Sequence, residues 1–152
     1  MPNMKSKIIA NVGPLGGFAL SRLITRRIPK IIMYHRFSES PKDGYMHRSN
    51  FERQIKYLHK NCNVVRLDEL VDIIKCDHRV SPNTVVLTID DGYRDFYDIA
   101  FPILKKYSVP ATLFVTTNFV DGGFWLWHDR VKYILQHSQK LHDLDQRLVL
   151  KD

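Results

Sequence analysis

The sequence predicts an α/β fold in which short parallel strands alternate with helices. Three observations carry this. Thr84-Val85-Val86-Leu87-Thr88-Ile89 is β-branched and nearly all apolar, the pattern of a strand buried on both faces. Phe51, Ile55 and Leu58 recur at helical spacing. Strand-like and helix-like stretches alternate with short loops, and that alternation builds a parallel sheet from βα units.

The elements follow in order. Ile31-Ile32-Met33, after Pro29, reads as the first strand. Ser49 to Glu52 fits a Ser-x-x-Glu capping box, opening a helix that runs to Asn61. Val64-Val65 is a short second strand, and Asp68 is placed to cap a helix carrying Leu70, Val71, Ile73 and Ile74. Ser81-Pro82-Asn83 is a loop before the clearest strand. A helix over 96–107 must place Pro102 in its first turn or at a kink. Ser108-Val109-Pro110 ends it, Ala111 to Val115 is a fourth strand, Thr116 to Gly123 a loop, and His128 to His137 a helix. The four strands are expected to end near Tyr34, Val65, Asp90 and Val115. In such folds the chemistry gathers at the C-terminal ends of the strands.

At 152 residues, with 44% hydrophobic and 26% charged residues, the chain suits one globular domain rather than a disordered one. The net charge of +7 suggests an anionic partner, but six of the 23 basic residues and none of the 16 acidic ones fall in the first thirty positions. The body is nearly neutral and shows no basic stripe interleaved with aromatics, so nucleic acid is not an expected partner. Residues 1–29 therefore read as a basic leader and 30–152 as the domain. Ala19-Leu20-Ser21 fits a small-x-small cleavage site. Against that, Gly13, Pro14, Gly16 and Gly17 break the apolar run, which is shorter than the ~20 residues a bilayer requires. A packed surface segment or a basic arm touching a membrane surface is expected instead, in a cytoplasmic or envelope-associated protein. Cys62 and Cys76 make no metal-finger pattern and read as reduced, partly buried thiols.

The chemistry concentrates in Thr88-Ile89-Asp90-Asp91-Gly92-Tyr93. Adjacent carboxylates at a strand end repel one another, and a bound cation would relieve that cost. Neighbouring residues of a strand face opposite ways, and Gly92 lets the chain turn, so the two carboxylates can take different tasks. One can hold a metal while the other takes a proton from water. On Asp-Asp-Gly alone, an acidic turn or a helix cap is the better reading, since Asp and Gly are common turn residues.

The neighbouring motifs reverse that balance. Tyr34-His35-Arg36, Asp90-Asp91-Gly92 and Pro110-Ala111-Thr112, in that order on the first, third and fourth strands, together resemble the polysaccharide deacetylase family, the NodB-homology hydrolases. Phe124-Trp125-Leu126-Trp127-His128 resembles an aromatic segment of some members, and Ile89 stands where Phe is commoner. The resemblance covers about residues 30–135 and implies a partial distorted (β/α) barrel, cut short after about four strands. It implies metal-dependent removal of acetyl groups from N-acetylated polysaccharides or oligosaccharides. Asp90 would be the catalytic base and Asp91 a ligand of a divalent metal, commonly zinc. His35, Tyr93 and Trp125 would line the substrate pocket. His35 is equally suited to a structural role, and Trp125 and Trp127 to packing. Asp43, Asp95 and Asp98 read as solvated or capping residues.

One departure matters. The family completes its metal site with His-(Ser/Thr)-x-x-His beyond the fourth strand. Here the histidines fall at 35, 47, 59, 78, 128, 137 and 142, and no two are four apart. The chain thus reads as the N-terminal part of such a domain, expected to be a poor or inactive enzyme alone and prone to self-association through the edge of its fourth strand. The competing expectation is a non-catalytic remnant that binds a glycan or a protein partner. A phosphatase of the Asp-x-Asp-Gly type is set aside, because the two carboxylates are adjacent.

Overall fold

The computed structural model describes residues 23–137. They belong to two compact units, one ending at Phe114 and the other beginning at Val115. Most of the basic leader and the helical pattern after His137 lie outside the described residues.

The first unit runs β1 (Lys30–Tyr34), β2 (Phe37–Ser38), β3 (Met46–His47), α1 (Arg48–Asn61), β4 (Asn63–Val64), α2 (Leu67–Lys75), β5 (Thr84–Ile89), α3 (Phe101–Lys106) and β6 (Thr112–Leu113). The second holds α4 (Thr117–Val120) and α5 (Trp127–His137). The parallel sheet expected from the sequence is present, with β5 at its centre. β1 pairs with β5 in parallel from Lys30↔Val85 to Tyr34↔Ile89. Because β1 occupies one edge of β5, the other edge is shared: β4 takes it at Thr84 and Val85, β6 at Thr88 and Ile89. The strand order therefore involves crossovers, and the described residues form an open sheet rather than a closed barrel. The small parallel pair of β2 and β3 was not foreseen, since strands of two residues have no periodicity to read.

All six residues of β5 are buried, as its composition requires. Alternation sends Val85, Leu87 and Ile89 to one face, where they pack in one core with Phe51, Ile55 and Leu58 of α1 and Ile103 and Leu104 of α3. Val86 faces the other way, against Val65 and Leu70. The register sets Ile31 beside Val86 and Met33 beside Thr88 on this second face, and both are 59% exposed. One side of the sheet is thus sealed by helices, while the other lies open along β1.

Local chemistry shifts some helix starts. α1 begins at Arg48, because His47 is extended and its side chain accepts from the Ser49 N–H. The Ser49–Glu52 capping box is therefore not used, and Glu52 instead accepts from Lys106 Nζ at 2.6 Å and Tyr107 OH at 3.2 Å. Asp68 does not cap α2. It lies in the first turn and binds Arg66 Nε at 2.9 Å, while Arg66 holds the cap position. Ahead of α3, residues Phe96–Ala100 form a π-helical turn, closed by the Phe101 N–H to the Phe96 carbonyl. Pro102 follows in the first turn of α3, where its missing N–H costs little. The stretch read as a loop after β6 contains the short α4. Of the two cysteines, only Cys62 is partly buried. Cys76 ends α2 on the outer surface and is exposed.

Candidate active site at the strand ends

The site follows from the register of two strands. Tyr34 stands opposite Ile89, so the next residues, His35 and Asp90, leave their strands side by side. The Asp90 N–H donates to the Tyr34 carbonyl at 3.0 Å, fixing that alignment. Alternation from Ile31 and Met33, and from Val86 and Thr88, puts His35 and Asp90 at the C-terminal rim of the open face. His35 Nε2 lies 3.7 Å from Asp90 Oδ2, close enough for attraction when the imidazole is protonated. Both side chains reach solvent, at 46% and 25% exposure.

The chain reverses immediately afterwards. Asp91 has φ 74° and Gly92 φ 80°, two successive left-handed residues. Glycine adopts this conformation freely, and aspartate is among the few other residues that tolerate it. The turn thus starts at Asp91, one residue earlier than Gly92 alone suggested. It parts the two carboxylates.

Beyond the turn the chain is fastened back to β1. Arg36 Nε donates to Asp95 Oδ2 at 2.7 Å. Its guanidinium lies 3.7 Å from the Tyr93 ring centre and 4.6 Å from that of Tyr45. Burial by itself would lower the Arg36 pKa, but the hydrogen bond and charge of Asp95 outweigh it and hold the group above its ordinary value. Asp95 is therefore a half-buried ion-pair partner, not the solvated or capping residue its sequence context suggested. Its Oδ1 is buried with no hydrogen-bond partner. Asp98 does match the surface reading, facing Arg94 at 3.2 Å. Tyr93 is buried under Arg36, so its ring supports the turn and offers no open surface. Tyr34 donates to Gln54 Oε1 at 2.6 Å, and burial pushes its phenol pKa up.

Trp125 belongs to the second unit. It is 55% exposed and meets Tyr133 edge-on at 5.3 Å. With Phe124, Arg130, Tyr133 and Ile134 it lines a groove of about 490 Å³. A larger groove in the first unit, about 830 Å³, runs between α2 and β6 past Arg66, Asp68, Asp72 and Lys75. Its Asp68 is already paired with Arg66, whereas the strand-end rim brings a carboxylate and an imidazole together. The rim is the better candidate for chemistry.

Among the described residues, no three His, Cys, Asp or Glu side chains gather to hold a metal ion. His35, Asp90 and Asp91 therefore do not form a complete metal site by themselves. Among the same residues no helix is long and apolar enough to cross a membrane.

Comparison with known proteins bears on this rim. Residues 77–143 match the family model described as polysaccharide deacetylase. A putative polysaccharide deacetylase, YxkH of Bacillus subtilis, is 33% identical over 118 residues, covering 76% of this chain and 42% of that protein. The poly-beta-1,6-N-acetyl-D-glucosamine N-deacetylase of Staphylococcus aureus is 33% identical over 90 residues, covering 59% of this chain and 31% of that protein. The chain thus spans less than half the length of these curated relatives. Among solved structures, the Streptococcus pyogenes deacetylase PplD in complex with acetate superposes with a TM-score of 0.56 at 26% identity, covering 70% of this chain and 51% of that one. By sequence and by fold, this chain carries part of a NodB-type polysaccharide deacetylase domain.

Proposed function

We propose that this chain acts in the metal-dependent hydrolysis of the acetamide group of an N-acetylated carbohydrate. The observation that carries the reading is the pairing of Asp90 with His35 on the open rim of the sheet, 3.7 Å apart. Asp90 takes the proton of the attacking water as the new C–O bond forms at the acetyl carbon. The C–N bond then breaks, and the sugar amine leaves with the proton that Asp90 took from the water, which returns Asp90 to its carboxylate and frees acetate. His35, with Nε2 3.7 Å from Asp90 Oδ2, helps hold that carboxylate in place on the rim. A divalent metal, zinc in the first instance, would take Asp91 as one ligand and supply Lewis-acid polarisation of the carbonyl. Among the described residues no three His, Cys, Asp or Glu side chains gather to complete that site.

The exposed ring of Trp125 suits stacking on a sugar face. Tyr93 supports the turn from beneath. The name of the S. aureus relative supports a hexosamine polymer as substrate. We assign residues 30–152 to the deacetylase domain and the basic stretch 1–29 to contact with an anionic membrane surface. Self-association through the edge of β6 belongs to the same reading, since Leu113 and Phe114 are exposed there.

The test is acetate release from N-acetylglucosamine oligomers with zinc or cobalt added, comparing the wild-type chain with Asp90→Asn. The incomplete ligand set makes the rate low, so the ratio is the readout. Asp90→Asn is expected to lower it by at least ~10²-fold. Equal acetate release by the two proteins contradicts the assignment. Glycan retained with no acetate released by the wild type favours a binding module.

A further inference from the structure

Just after the Asp90–Asp91 pair, Tyr93 and Asp95 both contact the guanidinium of Arg36. We propose that Arg36 and Asp95 are positioning residues: their ion pair, stacked on Tyr93, clamps the Asp90–Gly92 turn in its left-handed geometry and thereby aims the two carboxylates. The proposal rests on the deacetylase reading for the purpose of the turn, but not for the existence of the clamp.

Three features point to it. The first is the strain in the turn. Asp91 at φ 74° is a non-glycine residue in a sparsely populated region, and such conformations persist where surrounding structure over-determines them. The second is where the fastenings lie. The turn is tied to β1 on its near side by the Asp90 N–H to the Tyr34 carbonyl at 3.0 Å. It is tied on its far side by Arg36, through the Tyr93 ring at 3.7 Å and Asp95 at 2.7 Å. Both fastenings come from one short segment, Tyr34 to Arg36, at the end of β1. Anything that fixes this segment fixes the whole turn.

The third feature is the chemistry of the pair. A planar guanidinium donates in a fixed direction and stacks on rings, which a lysine ammonium does not do. Arg36 uses both properties at once: Nε toward Asp95, and its plane toward Tyr93 and Tyr45. Among the described residues, Asp95 Oδ1 is buried with no hydrogen-bond partner, so the contact at Oδ2 carries the anchoring of its charge. An otherwise unpaired carboxylate of this kind ties its backbone to the one cation that satisfies it. Asp95 also stands immediately before the π-helical turn Phe96–Ala100, so the clamp fixes where that irregular turn begins.

The test uses the full chain labelled with ¹⁵N, so it does not depend on turnover. Arg36→Lys keeps the charge and removes the fork and the stack. Asp95→Asn keeps the shape and removes the charge. Ile103→Val is the control, a core change in α3 away from the turn. The amide resonances of Asp91, Gly92 and Tyr93 are expected to move in Arg36→Lys and Asp95→Asn, while those of Val85 to Leu87 hold. In Ile103→Val the turn resonances are expected to stay in place. Should Arg36→Lys fail to fold, Asp95→Asn alone decides the matter. Turn resonances that stay put in the clamp variants, or move equally in Ile103→Val, overturn the proposal. In the acetate assay, Asp95→Asn is expected to lower kcat by about 10–100-fold with KM little changed, as displacement of a reacting group does. A moved turn in a protein that releases no acetate leaves the clamp standing and removes the deacetylase reading.

Discussion

The two faces of the central sheet are made by alternate residues of the same strands, yet they have different fates. On one face Val85, Leu87 and Ile89 meet α1 and α3 in a continuous core. On the other, Val86 has a small helix-side cluster, while Ile31 and Met33 stand open to solvent. His35 and Asp90 emerge at the rim of that open face. The sealed face supplies stability, because apolar area removed from water is what holds the fold. The open face supplies access, which the proposed hydrolysis needs for both water and a sugar chain. Rigidity on one side of a strand thus positions reactive groups on the other.

Mutations on the two faces should separate these roles. Phe51 is fully buried and meets Tyr34 and Phe37 edge-on at 5.1 and 4.8 Å. Phe51→Ala is expected to cost about 3–5 kcal/mol in urea unfolding. A loss near 1 kcal/mol would show that the sealed face repacks freely. Ile31→Thr and Met33→Thr, on the open face, are each expected to change stability by about 0.5 kcal/mol or less. A cost of several kcal/mol for either would mean that the face is closed in solution.

The smallest effect is electrostatic and lies at the margin of the sealed face. The hydrogen bond from Lys106, and then that from Tyr107, hold the Glu52 carboxyl below its ordinary pKa of 4.5. A depressed acid stabilises the fold above its unfolded pKa, and the contribution fades as pH falls through the folded value. The pair is exposed and screened, so its effect is small. Glu52→Gln should therefore be slightly less stable at neutral pH, with the gap closing in acid. A gap that widens in acid would reverse the sign of this argument.

The central strand was legible because a run of six β-branched or aliphatic residues needs no partner to be recognised. The Asp90–Asp91 turn was legible for a related reason, since its residues are adjacent in the chain. Long-range choices were not. Nothing local tells β4 and β6 to share one edge of β5, because that choice is made by packing across the whole sheet. Arg36 and Asp95 are 59 positions apart, and only the β1–β5 register brings them to 2.7 Å. The start of α1 was misread because His47, an unusual cap, took the place that Ser49 seemed to fill. The burial of Tyr93 was hidden because an aromatic residue beside two carboxylates looks the same whether it faces a ligand or an arginine.

The claim that chemistry belongs to the open face is tested most directly by mapping where a sugar lands. An N-acetylglucosamine oligomer would be titrated into ¹⁵N-labelled chain and the amide shifts followed residue by residue. The account predicts that Met33, His35, Asp90 and Asp91 move together, while Phe51, Ile55 and Ile103 of the sealed core stay in place. Shifts confined to other surfaces, with His35 and Asp90 unmoved at saturating oligomer, would contradict it.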